Sequence, residues 1–258
     1  MLDQRTRILN EIELWQSFNN QTAEETIDVY IDMKSPHAYL AIRPSLMLAK
    51  DFRIHVNFLP YTLSYIETGV TTEITEKKER KPLNKAADRK ARMFYAAARE
   101  YANLQELPFR SPHRLLDSEL AHRALLFAKK QKLEIPFILN VYTSGWGSGW
   151  REFELESISN LRTALIDCEA NLEGFEEYVS ETGNGSKDLK NCLLQAETSR
   201  IVGVPHYVLP DLGNSKGLSL FGREHLALIR HRLSDRGLAR SISVTPEFSH
   251  TWSKPIQD

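Results

Sequence analysis

The chain has 258 residues, 41% of them apolar, which is enough for one large hydrophobic core or for a core domain that carries a substantial insertion. Its 33 basic and 34 acidic residues leave a formal net charge of -1. This near-neutral balance excludes a protein that holds nucleic acid or an anionic membrane surface by bulk charge, and it favours a small, locally recognised ligand.

The first residues, MLDQRTRILNEIELWQSF, mix charged residues with apolar residues at helical spacing, and they lack the uninterrupted apolar core of a secretory signal. No apolar run approaches the roughly 18 residues that a membrane span needs. We therefore expect a helical extension over residues 1–25 and a cytoplasmic protein. The two cysteines, Cys168 and Cys192, lie in segments with a helical pattern, and we expect buried thiols there.

The next segments predict a β-α-β unit. TIDVYID alternates apolar and polar residues and is rich in β-branched and aromatic types, which favours a strand. HAYLAIRPSLMLAK has apolar residues at helical spacing, and FRIHVNFLP alternates again. A right-handed crossover that joins two parallel strands is the expected geometry.

The middle of the chain, residues 83–200, predicts a run of helices. ADRKARMFYAAAREYANL, DSELAHRALLFAKKQ, NLRTALIDCEA and EGFEEYVSET have helical patterns, and LPFRSPHR and SGWGSGW are expected to break them. SGWGSGW lacks the spacing of a phosphate-binding loop, and we expect its tryptophans to pack the helical insert or to wall a cleft.

The last third of the chain returns to strands. VPHYVLP and LSLF predict a hairpin, REHLALIRHRLSD predicts a helix, and the tail over 239–258 has no clear period. The order β-α-β, helices, β-β-α is the thioredoxin arrangement with a large all-helical insertion. We expect an α/β fold with a thioredoxin-like domain over 26–82 and 201–238 and an inserted helical domain over 83–200.

The junction YIDMKSPHAYLA offers two roles for a serine. Ser35 falls where the predicted helix begins, and Pro36 takes the first helical position, where an N–H is not needed. Ser35 can be a simple N-cap that contributes about 1 kcal/mol. The same helix end attracts an anion through its free N–H groups and its dipole, and a hydroxyl there can donate to a thiolate.

Three stretches resemble one family. YIDMKSPHAYLA resembles the DFxSPYSYLA opening of 2-hydroxychromene-2-carboxylate isomerases and kappa-class glutathione transferases, members of the DsbA-like thioredoxin superfamily. IVGVPHYVL is similar to their second signature, and LFGREHLALIRHRL is similar to the third, usually FxGxDRLxxL. The resemblance covers about Ile27 to Leu238. It implies a DsbA-like fold and a homodimer.

The resemblance also implies the role of the serine. Thioredoxin-type redox enzymes have a CxxC where this chain has Ser35, Pro36, His37 and Ala38, so dithiol exchange at this site is excluded. In the relatives glutathione brings the thiol, and the serine hydrogen-bonds its sulfur. Because an ordinary thiol has a pKa of about 8.5, a helix end with a hydroxyl donor favours the reactive thiolate. Ser35 is then a thiolate stabiliser and not a nucleophile.

The other two signatures imply glutathione-binding positions. The Val204–Pro205 bond is cis in the relatives, and the backbone of Val204 can then pair with the cysteinyl backbone of a bound peptide-like ligand. Gly222 permits close backbone approach before the last helix. Relatives commonly have Ser or Asn and then Asp after this glycine, whereas this chain has Arg223 and Glu224, which can hold the carboxylate and the ammonium of glutathione or can be solvated first-turn residues.

Two further positions are weaker candidates. EKKERKPLNK resembles imperfectly a KPP…NK segment beside the active site of the relatives, so Lys81 can contact a ligand carboxylate, with Pro82, Asn84 and Lys85 beside it, or the charge run can be a solvated face. His37 can act as an acid or base or be a partly exposed helix residue. The histidines form no metal-ligand pattern, and no metal is expected.

The leading hypothesis is a glutathione-dependent isomerase or transferase that acts on a small aromatic or otherwise electrophilic substrate. Isomerase and transferase are not separated by the sequence. A DsbA-like peptide-binding or chaperone-like module and an oxidoreductase that uses glutathione as its missing thiol stay open, because His37, Ala38, Arg223 and Glu224 depart from the family pattern.

Overall fold

The computed structural model describes residues 11–64 and 85–246. Within these ranges the chain forms four strands and nine α-helices. In chain order they are α1 Ile12–Asn19, β1 Glu25–Ile31, α2 Pro36–Asp51, β2 Ile54–Pro60, α3 Lys85–Leu104, α4 Glu119–Lys130, α5 Glu134–Ser148, α6 Ile158–Ile166, α7 Phe175–Val179, α8 Asn184–Thr198, β3 His206–Leu209, β4 Leu218–Phe221 and α9 Leu226–Asp235.

The sheet has the strand order β2-β1-β3-β4. β1 pairs in parallel with β2 along its whole length, from Glu25 opposite Ile54 to Ile31 opposite Pro60. β1 pairs with β3 in antiparallel fashion, and β3 forms an antiparallel hairpin with β4. The predicted β-α-β unit and the predicted hairpin are therefore confirmed, and six of the described helices lie between β2 and β3 in chain order.

α2 lies between the sheet and the helices that follow it. Every residue from Ala38 to Leu46 is buried, unlike in a surface helix, which keeps one polar face. On one side Ser45 Oγ lies 3.1 Å from the hydroxyl of Tyr207 on β3. On the other side the ring of Tyr39 packs 5.4 Å from that of Tyr142 on α5. The helix that follows Ser35 therefore contacts both the sheet and the helical insert.

A proline lies inside α2 without ending it. Pro44 has no N–H, so the carbonyl of Leu40, four residues earlier, has no partner within the helix. The side-chain amide of Gln105, a fully buried residue just after α3, donates to that carbonyl at 3.4 Å. The chain thus satisfies a carbonyl that the proline leaves open.

α5 is the central helix of the insert, and all residues from Ile135 to Trp146 are buried. The predicted break at SGWGSGW is wrong for its first part, because α5 continues through Ser148 and ends at Gly149, whose φ is +63°. The indole of Trp150 folds back onto the helix, where a Cβ on Gly145 would lie 2.1 Å from its ring. Trp146 and Trp150 are fully buried, so they pack the insert.

The first part of the C-terminal tail packs along the turn between α2 and β2. Arg240 donates its N–H to the Asp51 carbonyl at 2.9 Å, and the Arg53 N–H binds the Leu238 carbonyl at 2.8 Å. Residues 1–10 and 247–258 lie outside the described ranges. Among the helices that are described, none is both long and apolar enough to cross a bilayer.

The packing of Trp150 on α5 predicts opposite effects at two neighbouring glycines. Gly145→Ala should lower the free energy of unfolding by about 2 kcal/mol, because the new methyl group overlaps the indole. Gly147→Ala should leave it unchanged or raise it by about 0.5 kcal/mol, since a Cβ there makes an ordinary 3.5 Å contact with Pro108 and alanine favours the helix. Urea unfolding measures both, and equal effects would contradict the packing.

Candidate functional site

The pairing of β1 with β3 brings the three signature stretches together. Because these strands are antiparallel and Tyr30 pairs with His206, the residues before β3 lie beside the residues after β1. The Gly222 N–H then donates to the carbonyl of Pro205 at 2.9 Å, which ties the end of β4 to the same place. The candidate site is therefore the edge where the β1–α2 junction, the Val204–Pro205 loop and the Gly222 turn meet.

Ser35 is the N-cap of α2. Its backbone is extended, with φ -92° and ψ 119°, and its Oγ accepts the N–H of Ala38 at 3.2 Å. Its side chain is only 5% exposed. Accepting one hydrogen bond leaves the hydroxyl proton free to donate to another group, so capping and anion binding do not compete for the same part of the hydroxyl.

The backbone donors around the junction are almost all in use. The N–H groups of residues 33, 34 and 35 bind the His122 Nε2 at 3.2 Å, the Asp32 Oδ1 at 3.0 Å and the Asp32 carbonyl at 2.9 Å. Ala38 and Tyr39 donate to Ser35. Of the described contacts none involves the His37 N–H, and Pro36 has none to offer. The helix end therefore offers an anion two donors, the Ser35 hydroxyl and the His37 N–H.

The Val204–Pro205 peptide bond is cis, as the resemblance implies. The Val204 side chain is 5% exposed. In the part of the chain that the structure describes, the N–H and C=O of Val204 have no hydrogen-bond partner. An extended ligand can therefore pair with this backbone in the manner of an added strand.

The turn after β4 differs from the expected form. Gly222 has a φ of +109°, which disfavours any side chain, and Arg223–His225 form a 3-10 turn, so α9 begins only at Leu226. Arg223 is not a solvated residue, since it is 7% exposed and its guanidinium lies 4.1 Å from the ring centroid of Tyr101 on α3. Its Nη1 is buried without a hydrogen-bond partner among the described residues. Glu224 is exposed, with its carboxylate over Gly222.

His37 connects the junction to this turn. Its ring packs edge-on against Phe94 of α3, with 5.9 Å between the centroids, and its Nε2 is buried without a partner in the described ranges. Burial lowers the pKa of His37, the positive charge of Arg223 lowers it further, and Glu224 opposes both. The imidazole is therefore neutral at pH 7 and available as a base or hydrogen-bond partner.

A buried charged cluster lies directly behind Ser35. The Asp32 carboxylate is fully buried, and it accepts the Leu63 N–H at 2.7 Å and contacts the Lys34 ammonium at 3.1 Å. The Nε2 of His122, on α4, lies 3.3 Å from the same carboxylate. Although burial opposes ionisation, the positive charge of Lys34 and the hydrogen bonds to the carboxylate hold the pKa of Asp32 well below its usual range.

The cysteines lie away from the junction in the sequence and are poor nucleophiles. Burial raises the pKa of Cys168 to about 12. Cys192 is only partly buried, contrary to the expectation, and its partial burial also raises its pKa. Cys168 lies in the turn after α6 and not in a helix, because the chain reverses there with Glu169 at φ +59°. Over residues 11–64 and 85–246, no group of three or more His, Cys, Asp or Glu is arranged to hold a metal ion.

Some of the site residues proposed from the sequence lie in segments that the structure does not describe, and some residues that shape the site were not proposed. Lys81, Pro82 and Asn84 lie outside the described residues, and Lys85 begins α3. Asp32, His122 and Tyr101 were not singled out from the sequence. Asp32 is part of the quoted YIDMKSPHAYLA stretch, but nothing in the sequence signals that His122, 90 residues later, contacts it.

Comparisons with known proteins agree with the fold. The profile of the DSBA-like thioredoxin domain matches residues 26–234. The fold is similar to that of a 2-hydroxychromene-2-carboxylate isomerase, with a TM-score of 0.62, 18% identity, and coverage of 82% of this chain and 96% of the other. It is also similar to the cytosolic disulfide reductase DsbM from Pseudomonas aeruginosa, with a TM-score of 0.54, 13% identity, and coverage of 82% and 97%. The structure of DsbM with GSH matches equally well. No curated protein sequence matches significantly.

The charge of Arg223 predicts a measurable effect on His37. Arg223→Gln should raise the pKa of His37, because it removes a positive charge that opposes protonation of the imidazole. NMR titration of the imidazole measures this pKa, and Arg162→Gln on the distant helix α6 is the control. A His37 pKa that does not move in Arg223→Gln would mean that the guanidinium does not act on the ring.

The Asp32 cluster predicts a pH-dependent stability. A folded-state pKa below the unfolded value of about 3.9 means that the carboxylate stabilises the fold at neutral pH and that this stability is lost as the pH falls below about 4. Asp32→Asn should therefore cost about 3 kcal/mol at pH 7, with a deficit that shrinks on acidification. Urea unfolding at several pH values, with Asp235→Asn as an exposed control, tests this. A deficit that is independent of pH would contradict it.

Proposed function

Because the chain belongs to the DSBA-like thioredoxin domain family, we propose that it is a glutathione-dependent isomerase or transferase that acts on a small aromatic or otherwise electrophilic substrate. One observation carries this proposal. The position where a dithiol enzyme has CxxC holds Ser35, Pro36, His37 and Ala38, yet the helix end keeps two donors that no described residue uses. A site that can stabilise a thiolate but has no thiol needs one from a ligand.

Ser35 and His37 act on the sulfur. The hydroxyl of Ser35 and the N–H of His37 donate to a thiolate at the positive end of α2, and both donors favour the thiolate over the thiol. Glutathione, when bound, supplies this thiolate for conjugate addition to the substrate, followed by elimination in an isomerase. Because Ser35 only donates a hydrogen bond, it forms no bond to the substrate.

The remaining contacts fit the rest of a tripeptide-like ligand. The unused N–H and C=O of Val204 pair with the backbone of its cysteinyl residue, beside cis Pro205. Arg223 offers a buried Nη1 to a carboxylate, and exposed Glu224 next to Gly222 can take an ammonium group. Polar groups of both signs at this turn suit a zwitterionic γ-glutamyl end.

A second candidate, a peptide-binding module, is favoured by the surface beside the same loop. Val202, two residues before Val204, is 74% exposed, and Phe221, whose ring lies against Gly203, is 49% exposed. An extended peptide with apolar side chains would pair with Val204 in the same way as glutathione. The two candidates differ in whether the Ser35 hydroxyl matters, since a peptide without a thiolate does not need it.

Ser35→Ala separates catalysis from capping. The variant should lose about 1 kcal/mol of stability with the cap, whereas turnover with glutathione should fall about 10- to 100-fold, because a hydrogen bond to a charged group contributes about 1.5–3 kcal/mol. Ser157→Ala is a matched control, since Ser157 Oγ caps α6 through the Asn160 N–H at 3.3 Å. It should lose similar stability and keep its turnover.

Calorimetry with glutathione and with extended peptides decides between the two candidates. The leading proposal expects glutathione to bind the parent protein and the absorbance of its thiolate to appear at a lower pH than in solution. Peptide binding without detectable glutathione binding would favour the second candidate, and unchanged turnover in Ser35→Ala would remove Ser35 from the mechanism.

A further inference from the structure

We propose that His122, a residue of the helical insert, is a positioning residue that fixes which donors stay free at the Ser35 junction. The proposal rests on the proposed function for its catalytic meaning, although its structural part can be tested without a ligand. His122 is fully buried on α4. It acts through the backbone of residues 33–35.

The two ring nitrogens of His122 have different partners. Nε2 lies 3.2 Å from the Met33 nitrogen, whose N–H can only donate, and Nδ1 lies 2.9 Å from the hydroxyl oxygen of Thr62. A proton on Nε2 would face the Met33 N–H. The geometry therefore assigns the proton to Nδ1, which donates to Thr62, and leaves Nε2 as the acceptor for Met33.

The neighbouring carboxylate does not require a proton from His122. Asp32 already accepts the N–H groups of Lys34 and Leu63 and contacts the Lys34 ammonium. Its Oδ1 lies 3.3 Å from Nε2, longer than its hydrogen bonds to either N–H. The ring thus serves the backbone of Met33 while Asp32 is satisfied by other donors.

The insert holds the junction at further points. The hydroxyl of Tyr142 on α5 donates to the Asp32 carbonyl at 2.7 Å, the same carbonyl that accepts the Ser35 N–H. Ser118, which precedes α4, lies 3.2 Å from the Lys34 ammonium through its Oγ. The helical insert is therefore part of the scaffold that sets the direction of the β1–α2 turn.

This bonding determines what is left for a ligand. With the N–H groups of residues 33 to 35 all paired, the turn has one orientation, and the His37 N–H and the Ser35 hydroxyl are the donors that remain. Without an acceptor for the buried Met33 N–H, the turn has to shift to find one. Such a shift moves Ser35 and His37 relative to the bound sulfur and weakens both of their hydrogen bonds.

Two substitutions of similar size test the acceptor. In His122→Gln the side-chain carbonyl can reach the position of Nε2 and accept the Met33 N–H, whereas His122→Leu removes the acceptor and keeps much of the volume. His122→Asn, whose shorter side chain cannot reach Met33, replaces His122→Leu if that variant does not fold. His231→Leu on the exposed side of α9 is the control.

The first measurement needs no ligand. Amide hydrogen exchange at Met33, relative to exchange in α9, should rise about tenfold in His122→Leu and stay near the parent rate in His122→Gln and His231→Leu. Equal protection of Met33 in the Leu, Gln and parent proteins would overturn the proposal, whether or not the protein binds glutathione.

The second measurement tests the link to function. The pKa of the bound glutathione thiol, followed by thiolate absorbance, should be higher in His122→Leu than in the parent and restored in His122→Gln. If the parent protein does not bind glutathione, the proposed function is wrong. The hydrogen-exchange result at Met33 then still tests whether His122 holds the junction. A parent-like thiol pKa in His122→Leu would contradict the positioning role while the proposed function stands.

Discussion

The pairing of the ionised Asp32 carboxylate is the interaction on which the rest of the site depends. Asp32 directly follows β1 in a fully buried position, where an unpaired charge would be strongly destabilising. Its partners therefore have to come from neighbouring elements. Leu63 follows β2, and Lys34 belongs to the junction and also binds Ser118 of the helical insert. Satisfying this one group joins the sheet, the start of α2 and the helical insert around the residues that precede Ser35.

The strand pairing then determines what faces this junction. The antiparallel pairing of β3 with β1 is what places cis Pro205 opposite the end of β1, and the Gly222 N–H fixes the next turn to the Pro205 carbonyl. Each step uses backbone groups, so the arrangement tolerates changes in the side chains it carries. This explains how Arg223 and Glu224 can replace the residues usual in the relatives while the turn is kept, because only Gly222, with φ +109°, is restricted by the backbone.

The parts of the fold that follow from local pattern could be predicted, and those that depend on distant contacts could not. The strands β1 to β4 and the helix after Ser35 follow from periodicity and turn residues, and the cis bond follows from the resemblance. SGWGSGW was misassigned because two glycines indicate a break locally, whereas Trp150 packs against Gly145 and lets α5 continue. The burial of Arg223 was missed because its partner, Tyr101, is far away in the sequence. His122 was missed for the same reason, since only the folded chain brings it to Asp32.

Under the proposed function, Ser-Pro-His-Ala in place of CxxC changes the source of the thiol more than the site itself. A cysteine at the position of Ser35 would have the same helix end and the same free His37 N–H, so the electrostatic part of thiolate stabilisation does not depend on where the sulfur comes from. The serine hydroxyl adds a donor that a cysteine lacks, and it does so while accepting the Ala38 N–H. Binding a separate thiol then requires contacts that an internal one does not need, and the unpaired Val204 backbone and the buried Arg223 guanidinium are available for that purpose. Under this proposal, the absence of cysteines from the CxxC position goes together with neighbouring binding groups that have no partner among the described residues.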